Sequence, residues 1–267
     1  MTINVRDLRK WKTEGKKFTM LTAYDYTTAR WLDRAGIPVL LVGDSLGNTM
    51  LGYPDTLSVT MDDMVRHASA VVRGAPNALI IGDMPFMAYH ASEEDAIRNA
   101  GRFLQEARVH AVKMEGGGRV IGYTKTLTSM GIPVMGHLGL TPQFVNQFGG
   151  MRVQGRSDEA AEQILKDAQE LEAAGAFAVV LEGIPSVLGQ RVTEALTVPT
   201  IGIGAGAHCD GQVLVIQDLL GLNPDHVAKF VRQYAKLGET IEAAARAFDQ
   251  DVRNGAFPTP EHEYSAR

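Results

Sequence analysis

Three carboxylates, Asp44, Asp83 and Glu115, each close a short apolar run, and three such charges crowded together repel one another unless a cation lies between them. All-oxygen ligation suits a hard ion. Magnesium keeps several waters and takes one or two protein carboxylates, which leaves positions for a substrate that chelates; the lone Cys209 and the scattered histidines show no zinc spacing. Four more residues with usable chemistry sit at run ends of the same kind. Lys113 reads as a structural counter-charge, a holder of a substrate carboxylate, or a Schiff-base nucleophile, and the last role suits it least because a lysine paired with carboxylates stays protonated. Ser45 either donates to a substrate oxygen or caps the next turn. His137 reads as a metal ligand, a polar contact to substrate, or a hydrogen-bonded core histidine. Glu182 arrives alone on its run, and a carboxylate that a metal does not need is free to act as a base.

These side chains can meet only if the runs that carry them share one layer. The runs at 39–44, 79–83, 111–115, 133–139 and 177–182 are β-branched and leucine-rich, bounded by Gly and Pro, as strands buried on both faces of a parallel sheet are. Ligands in such sheets bind at the carboxyl ends of the strands. Lys113 and Glu115, two apart, point to one face, and that face is the lumen of a barrel, because a lone lysine under outer helices would lack a partner. A first strand at 18–25, a seventh at 200–206 and an eighth at 213–220 complete the count, with helical patterns between them. Strand and helix alternate about eight times with no linker, which predicts a single α/β domain over 1–267. The predicted architecture is a (β/α)8 TIM-type barrel with an N-terminal helix and extra C-terminal helices at about 224–238 and 240–254. The basic helix at 5–14 is expected to close the barrel floor with its charges solvated. Asp25 is either an acidic strand end or a helix N-cap. The loop at 140–155 is long enough to be a lid. Gly202, Gly204 and Gly206 match a dinucleotide fingerprint poorly, since they lie late in the chain without its context.

With 267 residues, 45% hydrophobic content and a net charge of −5, the chain has the composition of an ordinary soluble globular protein. The acidic balance argues against nucleic-acid and anionic-membrane partners, which rely on clustered Lys and Arg. A single cysteine, a charged start and no apolar run of about 20 residues lead to a cytoplasmic expectation.

The segments 42–47 (Val-Gly-Asp-Ser-Leu-Gly), 82–86 (Gly-Asp-Met-Pro-Phe), 111–116 (Ala-Val-Lys-Met-Glu-Gly), 133–143 (Pro-Val-Met-Gly-His-Leu-Gly-Leu-Thr-Pro-Gln), 202–206 and 209–215 together resemble the ketopantoate hydroxymethyltransferase family. The resemblance runs from about Thr22 to Gly221. It implies a homodecameric barrel of the pantothenate pathway that moves a hydroxymethyl unit from 5,10-methylenetetrahydrofolate to 2-oxoisovalerate, with one Mg2+ per subunit. It further implies that Asp44, Asp83 and Glu115 are the magnesium positions. Ser45, Asp83 and Lys113, with Asp44 and His137 beside them, become the substrate contacts, and Glu182 the proton acceptor. The phosphoenolpyruvate mutase and isocitrate lyase group also sets magnesium-binding acids at barrel strand ends. It carries a catalytic cysteine loop or a phosphonate-handling arginine set, and neither is found here. A metal-stabilised assembly protein is the non-enzyme alternative, against which so many ionisable residues at one mouth weigh.

Overall fold

Runs that are apolar throughout, each followed by an amphipathic helix, fold most simply by pairing in chain order. In a computed structural model describing residues 3–223 and 227–265, eight parallel strands do so and close into a barrel. The strands are β1 (Phe18–Thr22), β2 (Val39–Val42), β3 (Leu79–Asp83), β4 (Ala111–Glu115), β5 (Val134–Gly139), β6 (Ala178–Glu182), β7 (Thr200–Ile203) and β8 (Gly211–Leu214). Closure comes from β8 pairing with β1 from Phe18↔Gly211 to Leu21↔Leu214, which leaves no open sheet edge. The (β/α)8 class expected from the sequence is the one observed. The chain divides into two compact units, one ending at Val215, which holds all eight strands, and one beginning at Ile216.

Strand periodicity splits the apolar side chains into two layers. Met20, Val39, Leu41, Ile81, Met135, Val180, Ile201 and Val213 fill the lumen, so the lower barrel is solid core rather than a pore. Leu138, Val179 and Leu181 point outward and pack with Leu171, Leu188 and Val192 of the covering helices Asp158–Ala173 and Ser186–Ala195. Each fully buried leucine or valine contributes about 1.5–3 kcal/mol by leaving water. The helix Val5–Thr13 begins at a reciprocal Asn4–Asp7 capping box and drives Leu8, with no exposure, into the lumen cluster from below, flanked by Val5 and Trp11. It closes the floor as expected, with one correction. Lys12 is not solvated: its ammonium donates to Asp210 at 3.0 Å and to the Thr193 carbonyl at 2.8 Å.

Local signals set the outer helices. Asp25 is an N-cap, accepting from the Thr28 N–H at 2.8 Å and its hydroxyl at 2.7 Å, which settles its two readings. Thr60 with Asp63, Ser92 and Ser157 start the helices Met61–Gly74, Glu93–Arg102 and Asp158–Ala173 in the same way. The glycine run at 202–206 serves packing: a Cβ at Gly206 would lie 2.5 Å from Ser186.

Some boundaries differ from those read in the sequence, the first strand among them, which ends at Thr22 and not at Asp25. The seventh strand ends at Ile203, and the eighth occupies Gly211–Leu214, followed by a helical turn Ile216–Leu219, where the sequence suggested a strand over 213–220. A short apolar run does not reveal by itself whether it is strand or helix. Of the helix expected at 224–238, residues 224–226 lie outside the described residues, and 227–236 hold turns only. There, Tyr234 N–H bonds the Leu219 carbonyl at 2.8 Å and Leu237 N–H bonds the Leu220 carbonyl at 2.9 Å. These donors serve the preceding segment instead of a helical ladder. The last long helix is Leu237–Arg253.

Candidate active site

Strand register decides which ionisable residues touch. Asp83 sits opposite Lys113 across β3 and β4, Glu115 opposite His137 across β4 and β5, and His137 opposite Val180, two residues short of Glu182, across β5 and β6. Asp44 and Ser45 follow β2 after Gly43, and Asp44 N–H reaches Asp83 Oδ2 at 3.2 Å. At the far side, Gly139 has φ +93° and a Cβ there would lie 2.3 Å from the Glu182 carbonyl, so only glycine lets the ends of β5 and β6 close together.

The result is one connected cluster. Lys113 Nζ lies 2.9 Å from Asp83 Oδ1, 3.3 Å from Glu115 Oε1 and 3.0 Å from His137 Nδ1. His137 Nδ1 is also 3.2 Å from Glu115 Oε1, and its Nε2 is 3.2 Å from Glu182 Oε2. Asp44, Asp83, Lys113, Glu115 and His137 are all buried. Ser45 makes no capping bond to the turn it precedes; its hydroxyl meets Tyr24 Oη at 2.8 Å. All seven residues singled out in the sequence therefore line a single cavity of about 100 Å³. The aliphatic side chains of Leu41, Val180, Ile203, Val213 and Val215 line the same cavity. A small molecule with a charged end and a short branched alkyl end suits such a lining.

The electrostatics show an excess of negative charge. Burial, then Asp83 and Glu115, push Asp44 well above the ordinary carboxylate range. Burial also raises Asp83, with Glu115 adding to it and Lys113 opposing. Glu115 goes the other way: burial works against its charge, but Lys113 and His137 hold it down to about 2. Burial and Lys113 disfavour the His137 cation, yet Glu115 and Glu182 lift its pKa to about 9. Lys113 is raised as well, since Asp83, Glu115 and Asp44 outweigh burial, so it stays an ammonium. An ammonium is suited to pairing with an anion and makes a poor Schiff-base nucleophile.

The same excess tests whether a metal fits. One carboxylate oxygen each from Asp44, Asp83 and Glu115 lie within 4.8 Å of one another. Two carboxylates that resist ionising beside a third are what a hard divalent cation would relieve. The donor set fits magnesium.

Two residues that sequence reasoning passed over complete the cluster. Gln143, from the turn Pro142–Phe144 that begins the loop at 140–155, is buried and donates to Asp44, and Tyr89 binds Gln143. The proline at 142, which starts a tight turn directly after β5, was the available signal. Cys209 lies in the outer apolar layer, not at the mouth, and burial raises its thiol.

Comparison with known proteins gives the chain a family. The family model described as ketopantoate hydroxymethyltransferase matches residues 2–260. A 3-methyl-2-oxobutanoate hydroxymethyltransferase of Syntrophus aciditrophicus (strain SB) is 56% identical over 257 residues, covering 96% of this chain and 94% of its own. The enzyme of that name from Syntrophobacter fumaroxidans (strain DSM 10017 / MPOB) is 58% identical over 253 residues, 94% of this chain and 90% of its own. Among solved structures, a phosphonopyruvate hydrolase superposes with a TM-score of 0.64 at 13% identity, covering all of this chain and 92% of that one. A 2,3-dimethylmalate lyase of the PEP mutase/isocitrate lyase superfamily does so with 0.61 at 16%, covering 99% and 93%. These two share the fold. With nearly its whole length matched and more than half its residues identical to those relatives, the chain belongs to the ketopantoate hydroxymethyltransferase family.

Proposed function

We propose that this protein transfers a hydroxymethyl group from 5,10-methylenetetrahydrofolate to 3-methyl-2-oxobutanoate (2-oxoisovalerate), giving ketopantoate in the pantothenate pathway. The observation that carries the reading is the lining of the cavity, which combines an ammonium, an imidazole and three clustered carboxylates with five aliphatic side chains. Family membership supports the reaction, and the resemblance supports a cytoplasmic homodecamer.

Asp44, Asp83 and Glu115 would hold one magnesium ion. When bound, magnesium would supply Lewis-acid stabilisation of the enolate of a chelating 2-oxo acid. Lys113, kept protonated by its acidic neighbours, pairs with the substrate carboxylate, and the Ser45 hydroxyl donates to a substrate oxygen. The isopropyl end packs against Val180, Ile203 and Val213. Glu182 takes the proton from C3, and His137, 3.2 Å away, holds that carboxylate in place. Water cleaves the two C–N bonds that hold the one-carbon unit, releasing tetrahydrofolate and a formaldehyde-level carbonyl; the electron pair left at C3 adds to that carbonyl carbon, and its oxygen, which came from the water, becomes the hydroxyl by taking back the proton held on Glu182. Orientation by Lys113 and Ser45 supplies the proximity that makes this attack intramolecular in effect.

The test is direct. Protein, magnesium, 2-oxoisovalerate and methylenetetrahydrofolate are mixed and ketopantoate is sought by mass spectrometry. Formation that stops when a chelator removes the metal is expected. Equal formation with and without metal, or none at all, overturns the proposal.

A further inference from the structure

Gln143 stands where two of the clustered carboxylates are joined by something other than a cation. Its amide Nε2 donates to Asp44 Oδ2 at 2.9 Å and to the Met84 carbonyl at 2.9 Å, and its backbone N–H donates to Glu115 Oε2 at 3.1 Å. Its Oε1 accepts from the Tyr89 hydroxyl at 2.9 Å, and the Tyr89 oxygen in turn accepts from the Glu115 backbone N–H at 3.1 Å. Both side chains are buried, Gln143 at 3% exposure and Tyr89 at none. The Met84 carbonyl can only accept, so the amide NH2 of Gln143 faces it and Asp44 while Oε1 faces Tyr89, whose hydroxyl lies 2.9 Å from that oxygen and 3.4 Å from the Glu115 carbonyl.

We propose that Gln143, oriented by Tyr89, is a positioning residue: it occupies Asp44 Oδ2 so that Oδ1 is presented to a divalent cation, and it ties Glu115 to the same frame. The inference rests on the metal reading given above. A glutamine is suited to the place because two acceptors, Asp44 and Met84, and one donor, Tyr89, surround its side chain. A glutamate would offer no proton to Asp44 and would add charge to an overcharged mouth. Outer groups that orient ligands in this way are worth about 10- to 100-fold in metal affinity.

Titration of the full-length protein with magnesium alone, followed by calorimetry, tests this, with thermal unfolding of each apo-variant measured beside it. Gln143→Met keeps length and removes every side-chain hydrogen bond; Tyr89→Phe removes only the hydroxyl that orients the amide. The proposal expects magnesium affinity to fall by roughly 10- to 100-fold in Gln143→Met and by less in Tyr89→Phe. It also expects turnover of both variants to recover toward wild type as magnesium is raised. A packing role alone would lower the melting temperature and leave the affinity of the folded protein where it was, and that result overturns the proposal. If Gln143→Met does not fold, Tyr89→Phe decides by the same criterion. A wild-type protein that binds no magnesium sinks the metal reading itself; wild-type binding with unaltered variants sinks only the role of Gln143.

Discussion

The barrel has two polar clusters built from the same side-chain types, and they are balanced differently. At the floor, Asp210 accepts from Lys12 at 3.0 Å, from Thr200 N–H at 2.9 Å and from the Thr200 hydroxyl at 3.3 Å, while Lys17 donates to the carbonyls of Cys209 and His208. One carboxylate meets one nearby ammonium, and its Oδ2 accepts all three of these hydrogen bonds. At the mouth, Asp44, Asp83, Glu115 and Glu182 face Lys113 and His137, and burial together with neighbouring acids raises Asp44 and Asp83. A satisfied cluster locks elements together; an unsatisfied one has affinity left over for something that is not protein. The floor fastens the N-terminal helix to β7 and β8. The mouth is the candidate site.

Replacing Asp83 with Asn should break that contrast most severely. Magnesium binding and turnover are expected to vanish, whereas apo-stability should hold or rise. The sign follows from the raised folded-state pKa: above its unfolded pKa such a carboxylate ionises more easily in the unfolded chain, so its charge costs folded stability at neutral pH. Chemical denaturation of metal-free protein at pH 7 checks this, and a large loss of stability would mean that the mouth carboxylates are structural.

At the floor the opposite division is expected. Lys12→Met leaves Asp210 without its ammonium and should cost ~1–3 kcal/mol, between exposed and fully buried pairs, since both partners are about 15% exposed. The turnover number of the folded fraction should be unchanged. Denaturant midpoints and kcat measured on one preparation separate the two effects, and a fall in kcat with no change in midpoint would erase the distinction between the clusters.

A smaller effect is expected from Lys113→Arg. A longer planar fork cannot take the place of a compact ammonium among Asp83, Glu115 and His137, so KM for the oxo acid should rise, by roughly 10- to 100-fold for a displaced charged hydrogen bond. Borohydride treatment in the presence of 2-oxoisovalerate sharpens the point, because an adduct at Lys113 would show that it is a nucleophile.

How much of this was legible in the sequence follows from the same physics. Strands buried on both faces read as apolar runs, so a polar residue that ends one stands out, and Asp44, Asp83, Glu115, His137 and Glu182 were each found that way. The two-residue spacing of Lys113 and Glu115 gave their common face. Pairing was not legible, because it depends on register: nothing in the sequence says that Glu115 lies opposite His137. Gln143 and Tyr89 lie in loops, where no period marks a residue as inward. The strand proposed at 213–220 failed because that segment, apolar except for Gln217 and Asp218, spans the end of one element and the start of another.

The most direct test of the mouth as a proton-abstracting site uses the substrate without its one-carbon donor. With magnesium present and folate absent, the protein should exchange the C3 hydrogen of 2-oxoisovalerate for deuterium from solvent, followed by proton NMR. Glu182→Gln keeps the size and one hydrogen-bonding oxygen but removes the base, so exchange should fall by roughly 10²- to 10⁴-fold while magnesium affinity stays nearly the same. Exchange at the wild-type rate in the Gln variant would contradict the role given to Glu182 and pass it to its neighbour His137.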